Sequence, residues 1–284
     1  MSTNKVVITC DSVCDLSKKL ISKYKIKVLP IQILVSGKDY LDDGSITSDL
    51  IYTKYREEGI LPKTAAFSPQ AIIDFLKGYA DKGYEIVHID VSSDLSSCFQ
   101  NANIGAGTFD NVHIVDSRQL STGMGLLVIE ACKLRDRGFS AKEIVEQLNI
   151  FREKISSSFV LDTLEFMHKG GRCSSVAVMG ANVLQLKPCL EMRDGTLRVT
   201  KKYRGKIERV YNQYLSDRLD ILTIDTTREV FITHSGEIDK KVLDAIKKNV
   251  SETLKTDDVY ITQAGCTVCS HCGPKTLGIL YVNK

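Results

Sequence analysis

Three cysteines and one histidine lie close together in GCTVCSHCGPK, residues 265–275. Cys266, Cys269 and Cys272 have the spacing of the first three ligands of an iron–sulfur cluster, but a fourth cysteine does not follow. A tetrahedral zinc site also needs a fourth ligand, and His271 is adjacent to Cys272, which makes it a poor partner within one site. The pattern therefore favours a strand end and a turn that presents His271 over a metal site.

Two adjacent serines, Ser96 and Ser97, follow the apolar strand pattern EIVHIDV and stand at the start of a predicted helix. The first backbone N–H groups of a helix lack acceptors within the helix and carry partial positive charge. Together with the serine hydroxyls, these groups are suited to hold a carboxylate or a phosphate. The simpler alternative is a serine that only caps the helix.

Other polar residues lie in predicted loops. Thr64 in KTAAFSP offers a hydroxyl, and Arg172 in MHKGGRCSS follows two glycines, a composition that suits an anion as well as a solvated loop. Asp11 and Asp15 in ITCDSVCDLS follow the first strand and belong either to a site or to the cap of the next helix. The sequence contains neither a Walker phosphate loop nor the nucleophile elbow of serine hydrolases.

The overall composition limits the class of protein. The chain has 284 residues, with 38 basic and 35 acidic side chains and a formal net charge of +3. This balance argues against a nucleic-acid partner, which attracts strongly basic proteins. The sequence has no apolar run long enough to span a bilayer and no export signal, so a cytoplasmic location is expected. The 9 cysteines are expected to be reduced thiols.

Two patterns of secondary structure divide the chain near Ile155. Before this residue, short β-branched runs alternate with helical patterns, which predicts a parallel sheet covered by helices in three layers. After it, strand patterns that include the Asp194-Gly195 hairpin signal predict a mixed sheet. We therefore predict an α/β fold with two domains, residues 1–155 and residues 156–284.

Several segments, taken in order, resemble the signatures of one protein family. The sequence is similar over essentially its whole length to the DegV family of bacterial fatty-acid-binding proteins. Each segment is a weak signal alone, but seven in the same order are specific. They are DSVCDLS, KTAAFSP, SSDLSSCFQNA, VDSRQLSTGMGLLV, FVLDTLEFMHKGGRCSS, KPCLEMRDGTL and HCGPKTLGI.

The resemblance implies a two-domain DegV-like fold that holds one long-chain fatty acid in a tunnel between the domains, without a cofactor or a metal. It implies that the carboxylate is bound by Thr64, Ser96 and Ser97, with His271 near the head group. Arg172 and His271 match positions linked to interaction with a kinase and to phosphoryl transfer. The implied role is that of a carrier rather than an enzyme. It would exchange lipid transiently with membranes and present the acid to a separate fatty acid kinase, which makes acyl phosphate for phospholipid synthesis.

The sequence departs from the family pattern at three positions. Ser97 stands where a glycine usually follows the binding serine, and Cys98 replaces the usual threonine. Lys275 stands where a glycine is common after Gly-Pro. The first change bears on how closely the backbone N–H of Ser97 approaches the carboxylate, and Lys275 would add positive charge near the mouth of the tunnel.

Three alternatives stay open at this point. One is an acyl hydrolase or transferase that uses Ser96 or a cysteine together with His271. Another is a metal-binding protein built on the C-terminal cysteines. A third is a carrier of a different apolar acid, with a sterol-like or branched skeleton.

Overall fold

The strands form mainly where β-branched residues cluster in the sequence. A computed structural model of the chain describes residues 5–177 and 186–284. In chain order its strands are β1 (Val6–Asp11), β2 (Lys27–Leu29), β3 (Gln32–Val35), β4 (Lys38–Leu41), β5 (Lys63–Ala65), β6 (Glu85–Asp90), β7 (Val112–Asp116), β8 (Ile155–Val160), β9 (Leu186–Arg193), β10 (Thr196–Arg204), β11 (Val230–His234), β12 (Val259–Gln263) and β13 (Leu277–Val282).

Several helices begin at a side-chain cap that the sequence predicts. The hydroxyl of Ser68 accepts the N–H of Ala71 at the helix that starts with Pro69, and Ser140 forms a capping box with Glu143. Within the described ranges, no helix combines the length and apolar character needed to cross a bilayer. The helices are α1 (Lys18–Tyr24), α2 (Ser48–Glu58), α3 (Pro69–Ala80), α4 (Cys98–Ala106), α5 (Ser121–Asp136), α6 (Ala141–Phe151), α7 (Glu165–Gly170), α8 (Ser174–Ala177), α9 (Ile207–Arg218), α10 (Lys240–Leu254) and α11 (Cys266–Cys272).

The first sheet has four parallel strands in the order β2-β1-β6-β7. Its central strands β1 and β6 are mostly buried and rich in valine and isoleucine, as expected for a parallel sheet that helices cover. Helices α3, α4, α5 and α6 contact this sheet. The predicted parallel sheet of the first half is therefore confirmed.

A separate three-stranded antiparallel sheet, in the order β4-β3-β5, differs from the prediction. The pattern KVLPIQILV predicts one strand, but Pro30 separates β2 from β3, and these two strands join different sheets. Proline lacks the N–H group that a strand ladder needs, so the pairing is interrupted there. The segment KTAAFSP, predicted as a loop, contains β5. The polar residues that follow KVLPIQILV predict a turn, but they include the short strand β4.

The third sheet has six strands in the order β10-β9-β8-β13-β11-β12. Strands β11 and β12 pair in parallel, and the other neighbours are antiparallel, so the predicted mixed sheet is confirmed. The predicted hairpin joins β9 to β10, where Asp194 and Gly195 have φ values of 51° and 82°. The pattern RCSSVAVMGANVLQL predicts a helix, and the structure has α8 at its start. Residues 178–185 of this segment lie outside the described residues.

Helix α5 lies between the parallel sheet and the mixed sheet and contacts strands of both. Most of its residues are buried, so it is surrounded by protein rather than exposed along one face. One hydrophobic core therefore extends from Ile8 in β1 to Phe231 in β11. The strands of the mixed sheet begin at Ile155 or later, and the division into two domains near this residue stays a prediction.

Candidate ligand-binding cavity

A cavity of ≈ 390 Å³ opens where strands β5 and β10, helix α11, the loop after β6 and the segment after α7 meet. Small-molecule sites in proteins are typically about 300–1,000 Å³. The residues that the sequence predicts for the site come from distant parts of the chain, and all of them line this cavity: Thr64, Ser96, Ser97, Arg172 and His271. The structure thus brings the whole predicted set to one place.

Thr64 is the middle residue of the short strand β5 and pairs with Ile33 of β3. Its neighbours Lys63 and Ala65 are exposed, whereas Thr64 is partly buried. The Oγ1 atom of Thr64 lies 2.8 Å from Nε2 of His271, which is hydrogen-bond distance. Strand β5 therefore holds this hydroxyl against helix α11.

His271 lies on helix α11, so the predicted strand end and turn are wrong at this position. The helix begins after Gly265, which has no side chain to cap it, and two aspartates from distant segments supply the cap instead. The carboxylate of Asp42 accepts the first two N–H groups of the helix at 2.8 and 2.9 Å. Oδ1 of Asp15 accepts the N–H of Gly265 at 2.8 Å. The position of His271 therefore depends on two aspartate side chains from the first half of the chain.

Asp15 also joins α11 to α5, because it accepts the hydroxyl of Ser121 at 2.5 Å. Burial raises the pKa of the Asp15 carboxyl to about 8, although the bonds from Ser121 and Gly265 oppose that rise. The sequence predicts Asp15 either as a site residue or as the cap of the first helix. In the structure Ser17 caps that helix. Asp15 instead accepts hydrogen bonds from Ser121 at the start of α5 and from Gly265 just before α11.

The imidazole of His271 is electrically neutral at physiological pH. Burial, together with the positive charge of Arg172, lowers the pKa of His271 to about 4. Nε2 contacts Thr64, and Nδ1 is buried without a hydrogen-bond partner among the described residues. The ring therefore interacts with Thr64 as a neutral donor or acceptor rather than as a cation.

Ser96 and Ser97 lie in the turn that leads from β6 into α4, whose first residue is Cys98. The Ser96 hydroxyl accepts the N–H of Cys98 at 3.3 Å and lies 3.1 Å from its Sγ atom. Ser97 occupies the N-cap position, but its side chain makes no capping hydrogen bond. Both serines border the cavity beside the first turn of α4, whose backbone N–H groups lack helical acceptors.

Arg172 is exposed shortly after the end of α7 and borders the cavity. Its Nη1 atom donates to the carbonyl of Gly170 at 2.7 Å. Lys169, the other basic residue of MHKGGR, forms an ion pair with Glu165 at 3.1 Å on the exposed side of α7. Arg172 is therefore the basic residue of this segment that is placed to meet an anion at the cavity.

Most of the remaining cavity wall is apolar. An acidic residue, Asp94, also borders it, near the turn of the β9–β10 hairpin. The hairpin is held there because the Ser92 hydroxyl donates to the carbonyl of Gly195 at 2.7 Å. The cavity thus combines a few hydroxyl, imidazole and guanidinium groups with an apolar surface. Its apolar residues include Val13, Ile31, Val91, Leu95, Leu120, Met167, Leu197 and Val268.

The three cysteines of α11 have different neighbours. Cys266 donates from Sγ to the carbonyl of Ile46 at 3.4 Å, and Cys269 donates to that of Ser235 at 3.5 Å. Burial raises the pKa of Cys266 and Cys272 to about 12, which keeps both thiols protonated. Residues 5–177 and 186–284 contain no cluster of three side chains able to hold a metal ion. This arrangement does not support the metal-site alternative.

Two residues that position the site are not identified from the sequence. Asn101 donates from Nδ2 to the carbonyl of Phe67 at 2.7 Å and so ties α4 to the segment after β5. Asp42 lies in LDDGS, an ordinary turn composition, and its role as a cap depends on distant residues. The one local signal is Gly265, because a helix that starts at a residue without a capping side chain needs a partner from elsewhere.

Comparison with known proteins gives a consistent result. A family model described as "Uncharacterised protein, DegV family" matches residues 5–284. A DegV domain-containing protein of Clostridium acetobutylicum is 30% identical over 285 residues, and one of Clostridium perfringens is 29% identical over 285 residues. Each alignment covers 99% of this chain and 99% of the relative.

A solved structure also shares the fold. It is that of a fatty-acid-binding DegV family protein from Thermus thermophilus, with a TM-score of 0.88 and 25% sequence identity. The superposition covers 99% of this chain and 100% of that one. The family match over residues 5–284 and the shared fold show that this chain belongs to the DegV family.

Proposed function

We propose that the protein binds one long-chain fatty acid in the cavity and presents its carboxylate to a separate fatty acid kinase. The observation that carries the proposal is the hydrogen-bonded pair of Thr64 and His271 in a cavity whose wall is mostly apolar. The fatty acid binding of the Thermus thermophilus relative supports the same ligand class. Residues 1–155 contribute Thr64, Ser96 and Ser97 to this site, and residues 156–284 contribute Arg172 and His271.

The apolar wall suits the acyl chain. Burial of one methylene group contributes about 0.8 kcal/mol, so about ten buried methylenes contribute about 8 kcal/mol, the free energy of micromolar binding. Leu95, Leu197 and Met167, from three different segments, offer such a surface. The acyl chain therefore supplies most of the affinity.

The polar groups suit the carboxylate. A buried carboxylate without hydrogen-bond partners costs several kcal/mol, so donors must offset that cost. The hydroxyls of Thr64 and Ser96 and the first N–H groups of α4 are donors at the cavity. These groups fix the position of the head group, whereas the tail is held by burial alone.

The geometry favours a carrier over an acyl hydrolase or transferase. A serine nucleophile needs a base within hydrogen-bond distance, and that base needs a third group that orients it. The Ser96 hydroxyl contacts Cys98, whereas His271 contacts Thr64, and Nδ1 of His271 has no orienting partner in the described chain. Turnover of acyl esters by the protein alone would favour the hydrolase alternative.

Phosphoryl transfer is aided by an exposed cation near the transferred phosphoryl group, because its oxygens carry the negative charge of the transition state. Arg172 is exposed at the cavity and lies close enough to His271 to lower its pKa. The sequence has no Walker phosphate loop, so ATP would be held by the kinase. We place this reaction in the cytoplasm, where acyl phosphate enters phospholipid synthesis and the carrier exchanges lipid with the membrane.

The first test is denaturing extraction of the purified protein and mass spectrometry of the released lipid. We expect one equivalent of a long-chain fatty acid. A protein that is isolated empty and takes up no added fatty acid would overturn the proposal. Release of a sterol-like or branched acid would show that the ligand belongs to that class instead of the long-chain fatty acids. Stoichiometric zinc or iron in protein purified without oxygen would instead favour the metal alternative.

The second test concerns the kinase. The loaded protein is mixed with ATP and a purified bacterial fatty acid kinase, and acyl phosphate is trapped with hydroxylamine. We expect hydroxamate that depends on both proteins. A loaded carrier that yields none would refute the presentation step and leave fatty acid binding in place.

A further inference from the structure

Gly170 and Gly171, the two adjacent glycines of MHKGGRCSS, are each needed for a different structural reason. Gly171 has a φ of +68° and ends helix α7, with its N–H bonded to the carbonyl of Met167 at 3.2 Å. This left-handed conformation favours glycine, and no atom of the described residues lies within 4 Å of the position of a β-carbon there. Gly171 is therefore required by the backbone.

Gly170 is required by space instead. It is the last residue of α7 and does not have a positive φ, so its backbone suits any residue. A β-carbon at this position would lie 2.7 Å from Nδ1 of His271, closer than real β-carbons approach another heavy atom. The missing side chain lets the imidazole pack directly against the end of α7.

This contact bears on which ring nitrogen of His271 carries the proton. A proton on Nδ1 would leave a buried N–H facing Gly170 without an acceptor among the described residues, and orphaned buried N–H groups are rare in proteins. A proton on Nε2 is instead donated to Oγ1 of Thr64, 2.8 Å away. The surroundings therefore favour the Nε2–H tautomer.

The tautomer in turn sets the direction of the Thr64 hydroxyl. When Oγ1 of Thr64 accepts from His271, its own hydrogen is free to point at an oxygen of the ligand. In the other tautomer the hydroxyl would donate to Nε2 and present only lone pairs to a carboxylate, which repel it. A single proton position thus decides whether Thr64 is a donor to the ligand.

We propose that Gly170 is a positioning residue that holds His271 in the Nε2–H tautomer and thereby makes Thr64 a hydrogen-bond donor to an anionic head group. The part that concerns the head group rests on the proposed function. The part that concerns the tautomer does not, because it follows from contacts within the protein itself.

The tautomer is measured by ¹⁵N nuclear magnetic resonance of histidine-labelled protein without ligand, with the His271 signals assigned by their loss in His271→Gln. We expect a protonated Nε2 and an unprotonated Nδ1 in the native chain. In Gly170→Ala we expect this preference to be lost, since the added methyl group displaces the ring from Thr64. A native Nδ1–H tautomer, or unchanged signals in Gly170→Ala, would overturn the proposal.

Two glycine variants serve as controls. Gly78 lies in helix α3, and a β-carbon there would have no atom of the described part of the chain within 4 Å, so Gly78→Ala should leave the His271 signals unchanged. Gly171→Ala should lower stability through its positive φ without changing the tautomer. If Gly170→Ala does not fold, Thr64→Val at native Gly170 tests the same bond, and unchanged His271 signals in that variant would refute it.

Binding provides the second readout. Gly170→Ala should weaken palmitate binding by about tenfold, the effect of losing one hydrogen bond to a charged group. In a His271→Ala background the same change should have little further effect, because the ring through which it acts is absent. Additive losses would show that Gly170 acts by another route. If the native protein shows the Nε2–H tautomer but binds no fatty acid, the proposed function is refuted and the positioning role of Gly170 stands.

Discussion

Nε2 of His271 lies 2.8 Å from the hydroxyl of Thr64, so one hydrogen bond joins the last helix of the chain to a short strand in its first quarter. The strand has three residues and the helix seven. Neither element is long enough to be stable alone, so the contact depends on the tertiary fold. This dependence makes the pair sensitive to small changes on either side.

Thr64→Val removes the hydroxyl and keeps the volume of the side chain. We expect the affinity for palmitate to fall by about tenfold or more, because a hydrogen bond to a charged group is worth about 1.5–3 kcal/mol. Thr64→Ser keeps the hydroxyl and should retain most of the affinity. Displacement of a fluorescent fatty acid measures both variants, and equal binding by the two would rule out a role for the hydroxyl.

Ser96→Ala should lower the amount of fatty acid that remains bound after purification. The Ser96 hydroxyl organises the first turn of α4 through Cys98 and is also a donor at the cavity. Ser97→Ala is the matched control, since the Ser97 side chain makes no capping bond and a smaller loss is expected. Quantitative lipid extraction compares the two, and undiminished retention in Ser96→Ala would remove this residue from the site.

Arg172→Ala should impair presentation of the fatty acid to the kinase without impairing fatty acid binding. Arg172 is exposed, so its removal should leave fatty acid retention close to that of the native protein. Acyl phosphate formation with the kinase should fall by about tenfold or more, because the cation near the transferred phosphoryl group is lost. Lys169→Ala, which removes a neighbouring charge paired with Glu165, is the control. Equal kinase rates in the two variants would contradict the role given to Arg172.

The buried carboxyl of Asp15 should make stability depend on pH. Its folded pKa of about 8 exceeds the unfolded value of about 3.9, so between these pH values the folded state binds the additional proton. The free energy of unfolding therefore falls as pH rises through this window, by up to about 1.4 kcal/mol per pH unit. Below about pH 4 the contribution is fully present.

Asp15→Asn should reduce this dependence between pH 5 and pH 8, because asparagine does not titrate, while the buried carboxyl of Asp11, whose pKa is raised to about 7, still does. Urea unfolding at several pH values measures the effect. Asp43→Asn is the control: Asp43 is exposed, and hydrogen bonds from Ser45 lower its pKa, so it does not titrate in that window. Parallel pH profiles for the native protein and Asp15→Asn would contradict the pKa of about 8.

The thiols of α11 should resist alkylation in the native protein. Cys266 and Cys272 are buried, and their pKa of about 12 leaves very little thiolate at pH 7.5. Iodoacetamide should modify them only after denaturation, as read by intact mass. Rapid native modification that added zinc prevents would revive the metal alternative.

Much of the fold could be predicted because its signals are local. Alternating β-branched and helical runs predicted the parallel sheet, and the Asp194-Gly195 pair predicted the hairpin turn. Strand β5 was missed because three residues are too few to show a period of two. Helix α11 was missed because cysteine and serine are poor helix formers and its cap comes from Asp42 and Asp15.

The site was predicted less from periodicity than from the resemblance. No spacing within KTAAFSP or HCGPK shows that Thr64 contacts His271, since that contact depends on how two sheets and α5 pack. The close packing of His271 against Gly170 could not be predicted either, because two adjacent glycines are equally typical of a flexible loop. Distances between distant residues are set by tertiary structure, which local patterns do not encode.

His271 lies in α11, the last helix in the described chain, so it is synthesised after most of the residues that line the cavity. Thr64, Ser96 and most of the apolar wall are translated before α11 and before β13, which pairs with β8 and β11. Because the amino-terminal part of a chain folds first during synthesis, a nascent chain carries an unfinished binding surface. A ribosome-bound chain that still lacks α11 therefore lacks the Thr64–His271 pair and part of the cavity wall.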